Sequence, residues 1–157
     1  MQSAKRRYLV CVDGREECKL ALRLACMKAM KNGGTVSMLH VIPPADFQTL
    51  GAIADKMREE KLEEGRKLLE SMQQELKDCF AITPQATILE GAVGEKIVEA
   101  AMNDPDVIMI VVGVAAKANS SRGKLTSWLV GQLGGNLLVP VLLVPSNLTD
   151  EQLGNLI

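Results

Sequence analysis

The stretch Tyr8-Leu9-Val10-Cys11-Val12-Asp13-Gly14 decides the fold. Its first five residues are apolar without alternation, which suits a parallel strand covered on both faces. Asp13-Gly14 breaks the run. Glu16 and Glu17 then place negative charge where a helix N-terminus favours it. Cys18, Ala21, Leu22, Ala25, Ala29 and Met30 recur at helical spacing, Lys28 and Lys31 occupy the last turn, and Gly33-Gly34 supplies the stop. The segment is one βα unit.

The same alternation continues outward. Thr35–Ile42 reads as a second strand ending at Pro43-Pro44, followed by a long amphipathic helix from about Ile53 to Lys77. The expected buried stripe of that helix is Met57, Leu62, Gly65, Leu68, Leu69, Met72 and Leu76, opposite a solvated face of mixed charge. Gln85–Leu89 is a third strand, and Pro84 at its start marks it as an edge, since proline cannot donate to a ladder. Glu90-Gly91-Ala92 turns into a short helix carrying Val93, Ile97, Ala100 and Ala101. Val107–Val112 is apolar throughout and therefore a central fourth strand. A polar loop over Gly113–Thr126, a helix over Trp128–Leu138 and a fifth strand over Val141–Val144 complete the pattern. Thr149-x-x-Gln152 is a capping-box signature for a short helix through Leu156.

This order implies an α/β fold: a single doubly wound five-stranded parallel sheet with right-handed crossovers and helices on both faces. The expected organisation is one domain over residues 1–147 and a short helical extension over 148–157. Ligands of such sheets bind beyond the carboxyl ends of the strands, where strand order reverses. With the first and fourth strands as central neighbours, that point lies between Asp13-Gly14 and the loop beginning at Gly113.

Composition narrows the function. The chain has 157 residues, 47% apolar and 24% charged, a profile of a soluble globular domain. A net charge of −1 supplies no basic field for nucleic acid or an anionic membrane. The longest apolar runs fall far short of the ~20 residues that span a bilayer. The basic start lacks an apolar h-region with a cleavage site, so a cytoplasmic protein is expected. Cys11, Cys18, Cys26 and Cys79 form no CxxC pair, and one histidine cannot complete a typical zinc set. These thiols read as buried small hydrophobes, and Met27, Met30, Met57 and Met72 as core filler.

No catalytic constellation is visible. Gly123-Lys124 suggests a phosphate-binding P-loop, but Ala118 stands where the first glycine belongs and Leu125 where the magnesium-binding hydroxyl belongs. Lys117, Arg122 and Lys124 nevertheless cluster at the mouth of the crevice, next to helical N–H groups that attract anions. A solvated loop would show the same residues. Asp13 either caps the following helix or accepts hydrogen bonds from a ligand. His40 has no nucleophile beside it and reads as packed or hydrogen-bonded. Ser120 and Ser121 lack a nucleophile elbow.

Taken in order, Val12-Asp13-Gly14, His40-Val41-Ile42, Glu90-Gly91, Val111-Val112-Gly113 and the closing Trp128-Leu129-Val130-Gly131 … Val139-Pro140-Val141-Leu142-Leu143-Val144 resemble the universal stress protein family from Arg7 to about Pro145. The resemblance implies strand order 3-2-1-4-5 and a homodimer formed by pairing last strands. It also implies two branches, one of which binds ATP through Gly-x2-Gly-x9-Gly-Ser/Thr after the fourth strand. Carried over, Asp13 and the Val41 backbone would meet adenine and ribose, Gly113 would open the phosphate loop, and Gly131 with Gln132 would reach the phosphates. The chain departs from that pattern at Ala116 (glycine expected), at Gln132 (Ser or Thr expected) and in the longer interval from Gly113 to Gly131. A side chain at Ala116 limits backbone approach to a phosphate.

The expectation is therefore a stress-response regulatory or interaction protein with weak or no ATP binding and an unidentified protein partner. The alternative is a genuine ATP or adenine-nucleotide module in which Lys117, Arg122 and Lys124 replace the missing contacts. The apolar edge Val141–Val144 seeks a partner strand, unless the helix after Thr149 covers it.

Overall fold

In the computed structural model, which describes residues 5–44, 51–115 and 121–157 (side chains from 124 in the last segment), all strand pairs are parallel. The elements are β1 (Arg7–Cys11), α1 (Glu16–Asn32), β2 (Thr35–Ile42), α2 (Ala52–Phe80), β3 (Gln85–Glu90), α3 (Val93–Asn103), β4 (Val107–Val114), α4 (Ser121–Gln132), β5 (Val141–Pro145) and α5 (Asp150–Gly154). Sheet order is β3-β2-β1-β4-β5, so chain direction across the sheet reverses between β1 and β4.

Alternation along the strands sorts side chains into two cores. Tyr8, Val10, Val12, Val36, Met38, Val111 and Val144 pack with α1, α2 and α5. Leu9, Cys11, Leu39, Ile110 and Val112 pack with Ile97 and Ala101 of α3 and Leu129 of α4. Burial on both faces explains why β1 and β4 are apolar without alternation. β3 is an edge strand with Gln85, Ala86 and Thr87 exposed. Pro84 before it is buried, and its carbonyl accepts a 2.7 Å bond from Gln73 Nε2 of α2.

Two glycines let helices approach the sheet closely. A Cβ at Gly113 would overlap the Glu17 carbonyl of α1 and lie 3.0 Å from the Cys18 nitrogen. A Cβ at Gly65 of α2 would stand 2.8 Å from the His40 ring of β2. At the opposite end of the sheet, the Arg7 N–H donates to the Asp106 carbonyl at 2.8 Å, and the Arg7 guanidinium pairs with Asp104. β1 is thus tied to the turn preceding β4.

Four expectations need correction. The helix expected over Trp128–Leu138 is α4 at Ser121–Gln132, because Leu125 and Leu129 already face the sheet at i,i+4 and Gly134, at φ +86°, ends it. β4 continues through Gly113 and Val114, whose ladder partners are Val144 and Pro145, so Gly113 belongs to the strand. Met30 and Met57 are exposed at 55% and 45%: Met30 turns outward beside the buried Ala29, and Met57 precedes Gly65, the first buried residue of α2. Cys79 is an exposed thiol in the last turn of α2, whereas Cys11, Cys18 and Cys26 are buried.

α5 packs on the α1 side. Leu153 is 1% exposed, and the Thr149–Gln152 capping box forms both its bonds, at 2.9 and 3.2 Å. Arg23 of α1 pairs with Asp150 at 3.0 Å, and Lys31 donates to the Ile157 carbonyl at 3.0 Å. These contacts draw the segment after β5 toward α1.

Replacing Gly113 with alanine should lower stability by at least about 2 kcal/mol through overpacking against α1. The urea midpoint measures it. Gly131→Ala, where no atom lies within 4 Å of the new methyl, should be neutral or stabilising by up to about 1 kcal/mol.

Candidate functional site

Asp13 follows β1 at the reversal point, and Arg15 and Cys18 hold its carboxylate. Oδ1 accepts from the Arg15 N–H at 3.1 Å and lies 2.9 Å from Cys18 Sγ; Arg15 Nε stands 3.5 Å from Oδ2. α1 takes Arg15 as its N-cap without a side-chain bond, so Asp13 closes an Asx-type turn ahead of the helix instead of capping it directly. About a third of the Asp13 side chain remains exposed, at 32%.

The backbone entering this turn is fixed from β2. Val12 N–H donates to the Leu39 carbonyl at 2.9 Å, and His40 Nδ1 donates to the Val12 carbonyl at 2.8 Å. Because a carbonyl only accepts, this bond places the proton on Nδ1. His40 is therefore a structural hydrogen-bonding residue lodged against Gly65. Gly14 leaves the turn at φ +85°, a conformation that favours glycine, and a methyl there would touch Leu68 of α2 at 3.4 Å.

Val41 is half-buried and, with Leu89, packs on the α3/α4 core. The Val12 N–H bond to the Leu39 carbonyl carries the β1–β2 register up to the residue before Asp13, and Val41 lies two residues beyond Leu39. Gly113 sits in β4 at the same end, but the side where its Cβ would project is filled by α1. Its glycine identity is required by helix packing whatever ligand binds. Val114 follows, half-buried, its carbonyl accepting from Ser146 N–H at 3.0 Å.

The remaining candidates do not all join this cluster. Ala116 and Lys117 lie outside the described residues, as does the side chain of Arg122 in the first turn of α4. Lys124 is exposed. Gly131 and Gln132 form the last turn of α4, which leads toward the amino end of β5. The Gln132 carbonyl accepts from Gly135 and Leu137 N–H at 3.2 and 3.0 Å, and its Oε1 accepts from Asn136 Nδ2 at 3.3 Å. Gln132 thus organises the turn into β5.

Sequence reading missed two contributors. Cys18, five residues after Asp13, reaches back to the carboxylate; an Asp followed by a small donor one turn into a helix was the available signal. Trp128 lies against Gly94 of α3, where a Cβ would be 2.5 Å from the indole, so the only tryptophan marks the α3–α4 contact. Among the described residues, no three His, Cys, Asp or Glu side chains are grouped to hold a metal ion. No helix among them is long and apolar enough to cross a membrane.

The universal stress protein family profile matches residues 5–145. The chain belongs to the universal stress protein family. No curated protein matches its sequence. Among solved structures, UspA of Lactobacillus plantarum is 19% identical, with a TM-score of 0.74 over 91% of this chain and 99% of that one. A family protein of Burkholderia pseudomallei is 22% identical, with a TM-score of 0.71 over 92% and 99%. The Archaeoglobus fulgidus universal stress protein, solved in complex with dAMP, is 18% identical, with a TM-score of 0.63 over 90% and 99%. These likenesses establish the shared fold. The family match stops at the end of β5, so α5 lies beyond it.

Burial behind the site has a measurable consequence in Cys26, whose thiol is pushed from 9.0 up to about 12. Between those values the folded thiol keeps its proton while the unfolded one loses it. The unfolded state then binds fewer protons, and stability falls as pH rises. This contribution should reach about 1.4 kcal/mol per pH unit between pH 9 and 12. Denaturation of the wild type and Cys26→Ala across that range should show the shallower decline in the variant.

Proposed function

We propose that this chain is a non-catalytic regulatory member of the family that takes an adenine nucleotide weakly, by its base and ribose, in the crevice between Asp13 and Val41. The observation that carries the reading is the Asp13 carboxylate, oriented at the strand-order reversal and partly exposed. A carboxylate there accepts hydrogen bonds from ribose hydroxyls or an exocyclic amine, and Val41 offers a surface for the base. The nucleotide complex of the Archaeoglobus fulgidus protein supports this ligand class.

The phosphate side is built differently from the ATP-binding pattern. Gly113 serves packing against α1 and Gln132 is engaged in the turn before β5, so on this reading Lys117, Arg122 and Lys124 are the residues proposed to meet phosphates. Calorimetry with AMP and ATP tests the reading. Comparable affinities for the two, lost at least tenfold in Asp13→Ala, are expected. ATP binding more than tenfold tighter than AMP, and sensitive to Arg122→Ala, would instead support a dedicated ATP module. Absence of binding by either nucleotide would overturn the nucleotide reading.

A homodimer through β5 belongs to the same proposal. Pro140 and Ser146 bond toward β4, so Leu142 and Val144 do likewise, and Val141, Leu143 and Pro145 direct their backbone groups outward. Among the described residues no strand pairs with that edge, and Leu143 is 38% exposed. A twofold centred on Leu143 would pair it with its copy and set Val141 N–H against the partner's Pro145 carbonyl. Leu143→Pro removes an outward donor while sparing the ladder to β4. Light scattering should report a dimer for the wild type and a folded monomer for this variant; a monomeric wild type would remove the proposal.

A further inference from the structure

Cys18 is fully buried in the first turn of α1, where a free cysteine ordinarily acts as a small hydrophobe. Its sulfur instead lies 2.9 Å from Asp13 Oδ1, the oxygen that also accepts from the Arg15 N–H. An ionised carboxylate only accepts, so the thiol is the donor. Two donors from different directions, one on the backbone and one on the helix, restrict rotation of the carboxylate about its own axis. The turn they stabilise is held from behind by the His40 bond to the Val12 carbonyl. Burial keeps water from competing for the thiol, and the charged acceptor strengthens an otherwise weak donor.

We propose that Cys18 is a positioning residue of the crevice: its S–H, acting with the Arg15 N–H, anchors Asp13 Oδ1 and sets the direction in which the carboxylate meets the nucleoside. This rests on the nucleotide reading given above. Cys18 does not touch the ligand; it acts through Asp13. The carboxylate is thereby oriented before binding, and its remaining rotation is not lost when the ligand arrives. A hydroxyl at this position would serve equally, whereas a methyl would preserve most of the packing and lose the donor.

The test uses the full chain, AMP as probe, and two readouts. By calorimetry, Cys18→Ser should bind AMP within about threefold of the wild type. Cys18→Ala should bind at least about fivefold more weakly, and adding it to Asp13→Ala should cause no further loss. Circular dichroism and thermal unfolding establish that each variant is folded. Independently of any ligand, the infrared S–H stretch assigned to Cys18 by its loss in Cys18→Ala should rise in frequency in Asp13→Ala. Wild-type affinity in Cys18→Ala would overturn the proposal. So would equal weakening in the serine and alanine variants, which marks a packing effect, or an S–H stretch indifferent to Asp13. If the wild type binds no AMP, both readings fall, and a retained S–H shift places the fault in the ligand assignment, not in the thiol–carboxylate bond.

Discussion

The close approach of α1 to β4, backbone against backbone at Glu17 and Gly113, is the constraint on which the remaining geometry depends. With no Cβ at Gly113, the first turn of α1 lies directly across the central strand. That seating brings Cys18 under the turn leaving β1 and fixes where Asp13 can point. It also sets how closely α1 lies on the two central strands. A glycine that looks like part of a phosphate loop is in this chain first a packing residue.

Much of this was legible in the residues. The unbroken apolar runs at Tyr8–Val12 and Val107–Val112 announced strands buried on both faces, and Pro84 announced an edge, because those are direct consequences of backbone hydrogen bonding and burial. Thr149 and Gln152 likewise specified their helix start by local chemistry alone. The boundaries of α4 were not legible in the same way. Gly123, Ser120 and Ser121 are weak helix formers that composition assigns to a loop. Leu125 and Leu129 facing the sheet override that preference. The misplacement mattered, since it moved Gly131 and Gln132 from the last turn of a helix to the first turn of another. The thiol beneath Asp13 was hidden for a different reason: a side-chain bond across a turn leaves no periodic trace.

On the side proposed for base and ribose, Asp13 and the backbone around Val12 are positioned by bonds that exist without any ligand. Gln132 is engaged with Asn136 and Leu137 in the turn before β5. An oriented, partly exposed carboxylate suits the recognition proposed for it. Regulation by occupancy, transmitted through a paired β5 edge, is the function proposed for this frame.

The most direct test of this account is to follow backbone amide resonances of the intact protein while AMP is added. Shifts should concentrate at Asp13, Gly14, Arg15, Val41 and Val114, with Gly131 and Gln132 unmoved. Shifts centred on Gly131 and Gln132 with Asp13 silent, or no shifts anywhere, would contradict it.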